Sequence, residues 1–167
     1  MTKTLFLLRH GKAQPDAPHG DHARVLVERG RREAAIMGEL LARITPALDA
    51  IVSSDAARAR QTAQVALEAS GFECAIHLNP AIYAASLDDL LDVVRGLPDE
   101  WATVLLVGHN PGFEDLAAAL SKEGGSPPTL PTAGLVHLSF PHAQRWREVR
   151  EGSGDLLAIY TAKEQRS

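Results

Sequence analysis

The chain has 167 residues, of which 45% are hydrophobic and 23% charged, with a formal net charge of −4. That length suits a single domain (1–167) with its own core, and the balance excludes an intrinsically disordered chain. The negative charge argues against a general nucleic-acid binder, and no apolar run is long enough to span a bilayer. Met-Thr-Lys leads straight into an apolar strand with no cleavage site, so a cytoplasmic protein without membrane attachment is expected. Cys74 is the single cysteine and reads as a small buried residue rather than a nucleophile.

In chain order, Thr4 to Leu8 is a continuous apolar run of strand length, as in a central parallel strand buried on both faces. Residues 13–22 hold Pro15, Pro18 and Gly20, which disfavour regular structure and suit a segment lying over a site. Met37, Leu41 and Ile44, widened by Leu40, form the apolar stripe of a helix over about 28–44, and Pro46 marks its end. Asp49 to Ser53 is a second strand. Ala59, Ala63, Ala66 and Leu67 give a second helix stopping near Gly71. A third strand is predicted around Glu73 to Leu78. Ser86 and Asp89 have capping-box spacing for a third helix that stops before Pro98. Thr103 to Val107 is another central strand, followed by a helix starting at Pro111 with Asn110 as its cap. Three strand-like runs close the chain: Leu135 to Phe140, Arg145 to Val149 and Leu156 to Thr161. Their short connections predict antiparallel pairing at one end of the sheet.

This alternation predicts a three-layer α/β/α fold with a mostly parallel central sheet and antiparallel strands near the C-terminus. In such a sheet the carboxyl ends of the strands border one crevice. Arg9-His10-Gly11 leaves the first strand, the segment from Asp55 to Arg58 leaves the second, and Gly108-His109-Asn110 leaves the later central strand. All three belong on the same edge. An arginine touching the first histidine indicates a phosphoryl ligand, and a histidine nucleophile is the sharpest reading of the pair.

Leu8-Arg9-His10-Gly11, the segment Ser53-Ser54-Asp55-Ala56-Ala57-Arg58-Ala59-Arg60-Gln61-Thr62-Ala63, and Val107-Gly108-His109-Asn110-Pro111-Gly112 together resemble the histidine phosphatase superfamily. Arg-His-Gly alone would be weak evidence, but three matched segments in order make a strong signal. The short length, Arg-His-Gly-Lys-Ala and the Arg24 to Gly30 segment look like the SixA branch of phosphohistidine phosphatases. The resemblance implies that His10 attacks phosphorus and is transiently phosphorylated. It implies that Arg9 and Arg58 bind the phosphoryl oxygens, that His109 adds a donor, and that Arg24 is a further phosphate-side arginine. Arg24 is flanked by Val25-Leu26-Val27 rather than the usual Pro-Leu-Thr, so a rim role and a direct contact are both open.

The chemistry fits those assignments. A neutral imidazole is a competent nucleophile near pH 7, and a covalent intermediate divides hydrolysis into two easier steps. Arginine stays charged and offers forked donors matched to phosphate oxygens. No metal or other cofactor is expected. Gly11 is read as a phosphate-binding position that allows a tight turn beside the substrate, and Asp55 and Asn110 as helix caps that aim helix N-termini at the anion.

Other candidates have plainer readings. Arg60 reads as a solvated helix residue. His19 and His22 read as surface-loop residues rather than metal ligands, and His77, His137 and His142 as structural or solvent-facing. The segment from Gly124 to Pro131 reads as a loop that could equally be a pocket wall. No general acid is assigned, because the residue after the second histidine is Asn110 and because Glu73, Asp88 and Asp89 fall in predicted strand or helix positions. An alkoxide leaving group needs a proton donor far more than an imidazole that can be protonated on its other nitrogen, so P–N cleavage is the better match. Lys12-Ala13-Gln14-Pro15 replaces the Trp-Asn element of phosphoglycerate mutases, and short loops predict an open site. The expected substrate is thus a phosphorylated histidine-containing protein or a small phosphorylated molecule; the oligomeric state is open, a monomer being compatible with the sequence. A small-molecule phosphomonoesterase and a phosphate-dependent binding module without turnover are the alternatives.

Overall fold

The computed structural model describes residues 2–166. Six strands form one sheet: β1 (Lys3–Arg9), β2 (Ala50–Ser53), β3 (Ile76–Leu78), β4 (Thr103–Gly108), β5 (Leu135–Phe140) and β6 (Asp155–Tyr160). Five helices accompany them: α1 (Glu28–Ile44), α2 (Ala57–Ser70), α3 (Leu87–Arg95), α4 (Gly112–Leu120) and the single-turn α5 (Ala162–Gln165). The strand order is β3-β2-β4-β1-β5-β6, with the first four parallel and β5 and β6 antiparallel. This is the expected α/β architecture.

Side chains alternate across a strand, and β1 shows what that does to a run apolar at every position. Leu5 and Leu7 join Val104, Leu106, Phe113, Leu116 and Trp146 on one side, the side of α3 and α4. Phe6 and Leu8 join Met37, Leu41, Ala59, Ala63 and Leu105 on the other, the side of α1 and α2. Both faces are covered, so Leu5 through Leu8 are all fully buried. The middle of the sheet therefore cannot slide without unpacking two cores at once.

The helix boundaries follow the predicted signals closely. α1 spans the residues expected, α2 ends with Gly71 in the left-handed conformation at φ 74°, and Ser86 and Asp89 exchange both capping-box hydrogen bonds at 3.1 Å. Three expectations need correction. The run Arg145 to Val149 is not a strand but a 3₁₀ turn (Trp146–Glu148): Trp146 and Val149, three residues apart, are both buried, and the Glu148 carboxylate accepts from the Arg145 N–H. The third strand is shorter than Glu73 to Leu78, because β3 lies at the sheet edge and pairs only with Ile51–Ser53. Cys74 is half-buried, packed beside the α1–α2 core rather than inside it.

Helices α1 and α2 approach closely at Gly38. A Cβ there would lie 2.3 Å from the Ala66 carbonyl oxygen, which is backbone and cannot swing aside. Gly38→Ala is therefore expected to destabilise the protein by about 1–3 kcal/mol despite the better helix propensity of alanine. Denaturant titration checks this; an unchanged or raised midpoint would show that the two helices can part freely.

Candidate active site

Residues Arg9 and Gly108 are register partners in the parallel β1–β4 pair, and the His10 N–H donates to the Gly108 carbonyl at 3.0 Å. The two strands thus end level, and the next residue of each is a histidine. The His10 and His109 rings lie 5.2 Å apart, centroid to centroid. Ser53 pairs with Val107 on the other side of β4, so the loop into α2 opens on the same edge and brings Arg58 in on the first helical turn. The geometry unites all three predicted loops.

His10 is the most constrained member. It is buried, and its Nδ1 lies 2.7 Å from the Gly11 carbonyl oxygen. A carbonyl can only accept, so Nδ1 carries the proton and Nε2 keeps its lone pair. Arg58 Nε, at 3.4 Å, is the donor facing that lone pair. Burial, reinforced by the nearby Arg58, Arg9 and Arg24 charges, pushes the His10 pKa down to about 4 against the pull of the Gly11 carbonyl. The ring is neutral at pH 7, as a nucleophile must be.

His109 is also held neutral, its pKa pushed down to about 3 by burial and then by His10 and Arg58. Its Nε2 shares a 2.8 Å hydrogen bond with Ser54 Oγ, and its buried Nδ1 has no protein partner. Arg9 Nη1 donates to the Leu130 carbonyl at 3.0 Å, while its buried Nε is also without a partner. Buried donors without partners are rare, and one beside the candidate nucleophile fits a seat for an anion. Arg24 stands at the mouth, with Nε donating to the Gln14 carbonyl at 2.6 Å and Nη1 to Asp21 Oδ1 at 3.0 Å.

Several sequence expectations change here. Gly11 does not offer its N–H to the pocket; it donates to Thr62 Oγ1 at 3.0 Å, and Thr62 in turn donates to the Arg58 carbonyl at 2.8 Å. Nor is its missing side chain needed for a strained turn. A Cβ there would meet the Gly30 carbonyl oxygen at 2.7 Å, so Gly11 serves the close contact with the start of α1. Asp55 is not a cap, because α2 starts at Ala57 with Ala56 as its cap residue, and Ser54 Oγ accepts the Ala56 N–H. Asp55 pairs instead with His22 at 2.9 Å. Asn110 is not a cap either: Pro111 occupies that position, and Asn110 Nδ2 donates to the Leu130 carbonyl at 2.7 Å.

The segment ending at Leu130 and Pro131 is fastened to residues of the site. Leu130 is buried, its carbonyl accepts from Arg9 and Asn110, and its N–H donates to Glu114 at 2.6 Å. Four further side chains escaped the sequence reading. Ser54 and Thr62 lie inside the second motif, whereas Asp21 and Tyr83 come from irregular connections with no periodic signal. Tyr83 packs edge-on against His109 and His22, and its hydroxyl donates to Asp21 Oδ2 at 2.7 Å. The loop that carries Asp21 reaches the mouth, so the site is less open than short loops suggested. Among the described residues no three His, Cys, Asp or Glu side chains converge as metal ligands, and no helix is long and apolar enough to cross a membrane.

Comparison with known proteins agrees with this geometry. Residues 5–86 match the model of the histidine phosphatase superfamily (branch 1). The chain is similar to the uncharacterized protein ML1117 of Mycobacterium leprae (strain TN), with 31% identity over 93% of this chain and 100% of that protein. A chain from Agrobacterium tumefaciens that carries the SixA name is 31% identical, covers 96% of this chain and 99% of its own, and superposes with a TM-score of 0.78. The protein histidine phosphatase SixA complexed with tungstate shares the fold at a TM-score of 0.84, with 22% identity over 98% of this chain and 99% of that one.

The neutral, buried imidazoles carry a stability cost that depends on pH. His10 has a folded-state pKa of about 4 against an ordinary 6.5, so the unfolded chain binds more protons between those values. Stability is expected to be full above pH 6.5 and to fall as pH drops toward 4, with His10 accounting for up to about 2 kcal/mol at pH 5. Denaturant titrations of wild type and His10→Gln at pH 7 and pH 5 check this: the variant loses that part of the slope. Identical slopes would mean that His10 is not desolvated.

Proposed function

The chain belongs to the histidine phosphatase superfamily, and from that premise we propose that it is a metal-independent phosphohistidine phosphatase with His10 as its nucleophile. The observation that carries the reading is the state of His10: Nδ1 tied to the Gly11 carbonyl, Nε2 unprotonated and facing Arg58 Nε at 3.4 Å, and the ring neutral among three arginines. A general acid or base would be poised near pH 7 instead. A nucleophile gains from being unprotonated throughout the working range.

In this mechanism Arg9, Arg24 and Arg58 hold the phosphoryl oxygens and His109 adds a neutral donor. The Nε2 lone pair of His10 attacks phosphorus in line, forming a new P–N bond as the P–N bond to the substrate imidazole breaks. The departing nitrogen takes its electron pair, and protonation of the imidazole's other nitrogen makes it a good leaving group without an enzymic acid. Water then attacks phospho-His10, returning neutral imidazole and inorganic phosphate. The arginine charges match the negative charge spread over the equatorial oxygens in both steps. Asp21, the carboxylate hydrogen-bonded to Arg24 and Arg58, is held ionised and is no proton donor for an alkoxide. That again favours P–N over P–O cleavage, and a phosphorylated histidine-containing protein over a small phosphate ester.

The test is phosphate release from a phosphorylated histidine-containing transfer protein in the presence of a chelator, with phosphomonoesters run alongside. Turnover is expected to prefer the phosphohistidine protein, to survive chelation, and to fall by about 10³-fold or more in His10→Ala. Preference for an ester would move the substrate to small metabolites, and activity persisting in the variant would remove His10 as nucleophile. Tight binding without turnover would mark a phosphate-dependent binding module.

A further inference from the structure

We infer that Asp21 is an internal anion seated where the phosphoryl group must bind, and that it sets how tightly the site holds phosphate. The inference rests on reading Arg24 and Arg58 as phosphoryl-binding groups. Every nitrogen of the Arg58 guanidinium is engaged. Nε faces His10 at 3.4 Å, Nη1 donates to the Asp21 carbonyl at 2.8 Å, and Nη2 donates to Asp21 Oδ2 at 3.1 Å. The other carboxylate oxygen, Oδ1, accepts from Arg24 Nη1 at 3.0 Å. One carboxylate therefore bridges two of the three candidate arginines, one oxygen to each, in the manner of a bound oxyanion.

A phosphoryl oxygen that takes the Arg58 Nη2 N–H now given to Asp21 Oδ2 displaces the carboxylate, because one N–H cannot serve both oxygens at full strength. The seat is built to let that happen. Asp21 is half-exposed, with a side chain 50% accessible, while that of Arg58 is only 8% accessible. The carboxylate has water to move into and the arginine does not. It sits on a short 3₁₀ turn that follows Gly20 at φ 95°, in the stretch that also holds Pro15 and Pro18. Tyr83 adds a third hold through its hydroxyl. Hydrogen bonds from Tyr83, Arg24 and Arg58 keep the Asp21 carboxyl well below the usual carboxylate range, so it competes as an anion at every working pH.

The charge balance shows what the device does. Arg9, Arg24 and Arg58 carry three positive charges beside two neutral imidazoles, and the seated Asp21 leaves a net of two. With Asp21 displaced, an arriving phosphoryl dianion meets all three. Asp21 keeps the arginines aligned while the pocket is empty and opposes retention of inorganic phosphate after the second step. It is a positioning residue that also limits product affinity.

Titration of the full-length protein with inorganic phosphate tests this, using wild type, Asp21→Asn and Tyr83→Phe. Asparagine keeps the size and one acceptor but not the charge, so Asp21→Asn is expected to bind phosphate about tenfold tighter, with a matching fall in the product-inhibition constant. Tyr83→Phe, which loosens Asp21 without touching an arginine, should lie between the two. It decides the matter alone if Asp21→Asn does not fold. Equal or weaker phosphate binding by the variants, with wild type binding normally, would overturn the inference and leave the phosphatase reading in place. Absence of binding by all three would overturn both.

Discussion

The site depends on the parallel hydrogen-bond ladder between β1 and β4. Its register sets Arg9 against Gly108, so two strands about a hundred residues apart in sequence finish at the same height and each delivers a histidine. Both strands are buried on both faces, which prevents that register from slipping by one residue without exchanging every apolar side chain between two cores. The separation of 5.2 Å between the imidazoles is thus a property of the whole sheet rather than of the loops that carry them.

Desolvation then converts position into reactivity. An imidazole in water would be partly protonated near neutrality, and a protonated ring has no lone pair to offer. Here burial is the largest influence on both histidines, and the surrounding arginines push in the same direction. The cations that would attract a phosphoryl group also help burial to keep His10 unprotonated. A single arrangement serves ligand capture and activation, and the Gly11 carbonyl settles which nitrogen remains available.

Much of this was legible in the sequence because it follows from periodicity and chain order. Leu5 to Leu8 and Val104 to Val107 read as buried parallel strands, and parallel strands imply a shared carboxyl edge where His10, Arg58 and His109 meet. The Ser86–Asp89 capping box was legible because its two hydrogen bonds are local. What escaped depends on contacts between irregular segments. Asp21 and Tyr83 meet across 62 positions with no repeating pattern to announce either. Asp55 and Asn110 were misread as caps because each lies one residue outside the observed cap, a margin that composition cannot resolve. Trp146 belongs to a run with strand-like composition, yet its indole N–H reaches the Trp101 carbonyl at 2.7 Å, and that tertiary bond selects the turn.

The segment that ends at Leu130 has two unlike halves. Its last residues are fastened to Arg9, Asn110 and Glu114, whereas Gly124 and Gly125 have positive φ and nothing within 4 Å of where a side chain would stand. The two glycines thus have open space around them but a backbone conformation that favours glycine, whereas the end at Leu130 is held by hydrogen bonds to residues of the site. One stretch of chain joins a glycine turn open to its surroundings to an end that fixes Arg9 and Asn110, so movement of the turn need not reach those two side chains.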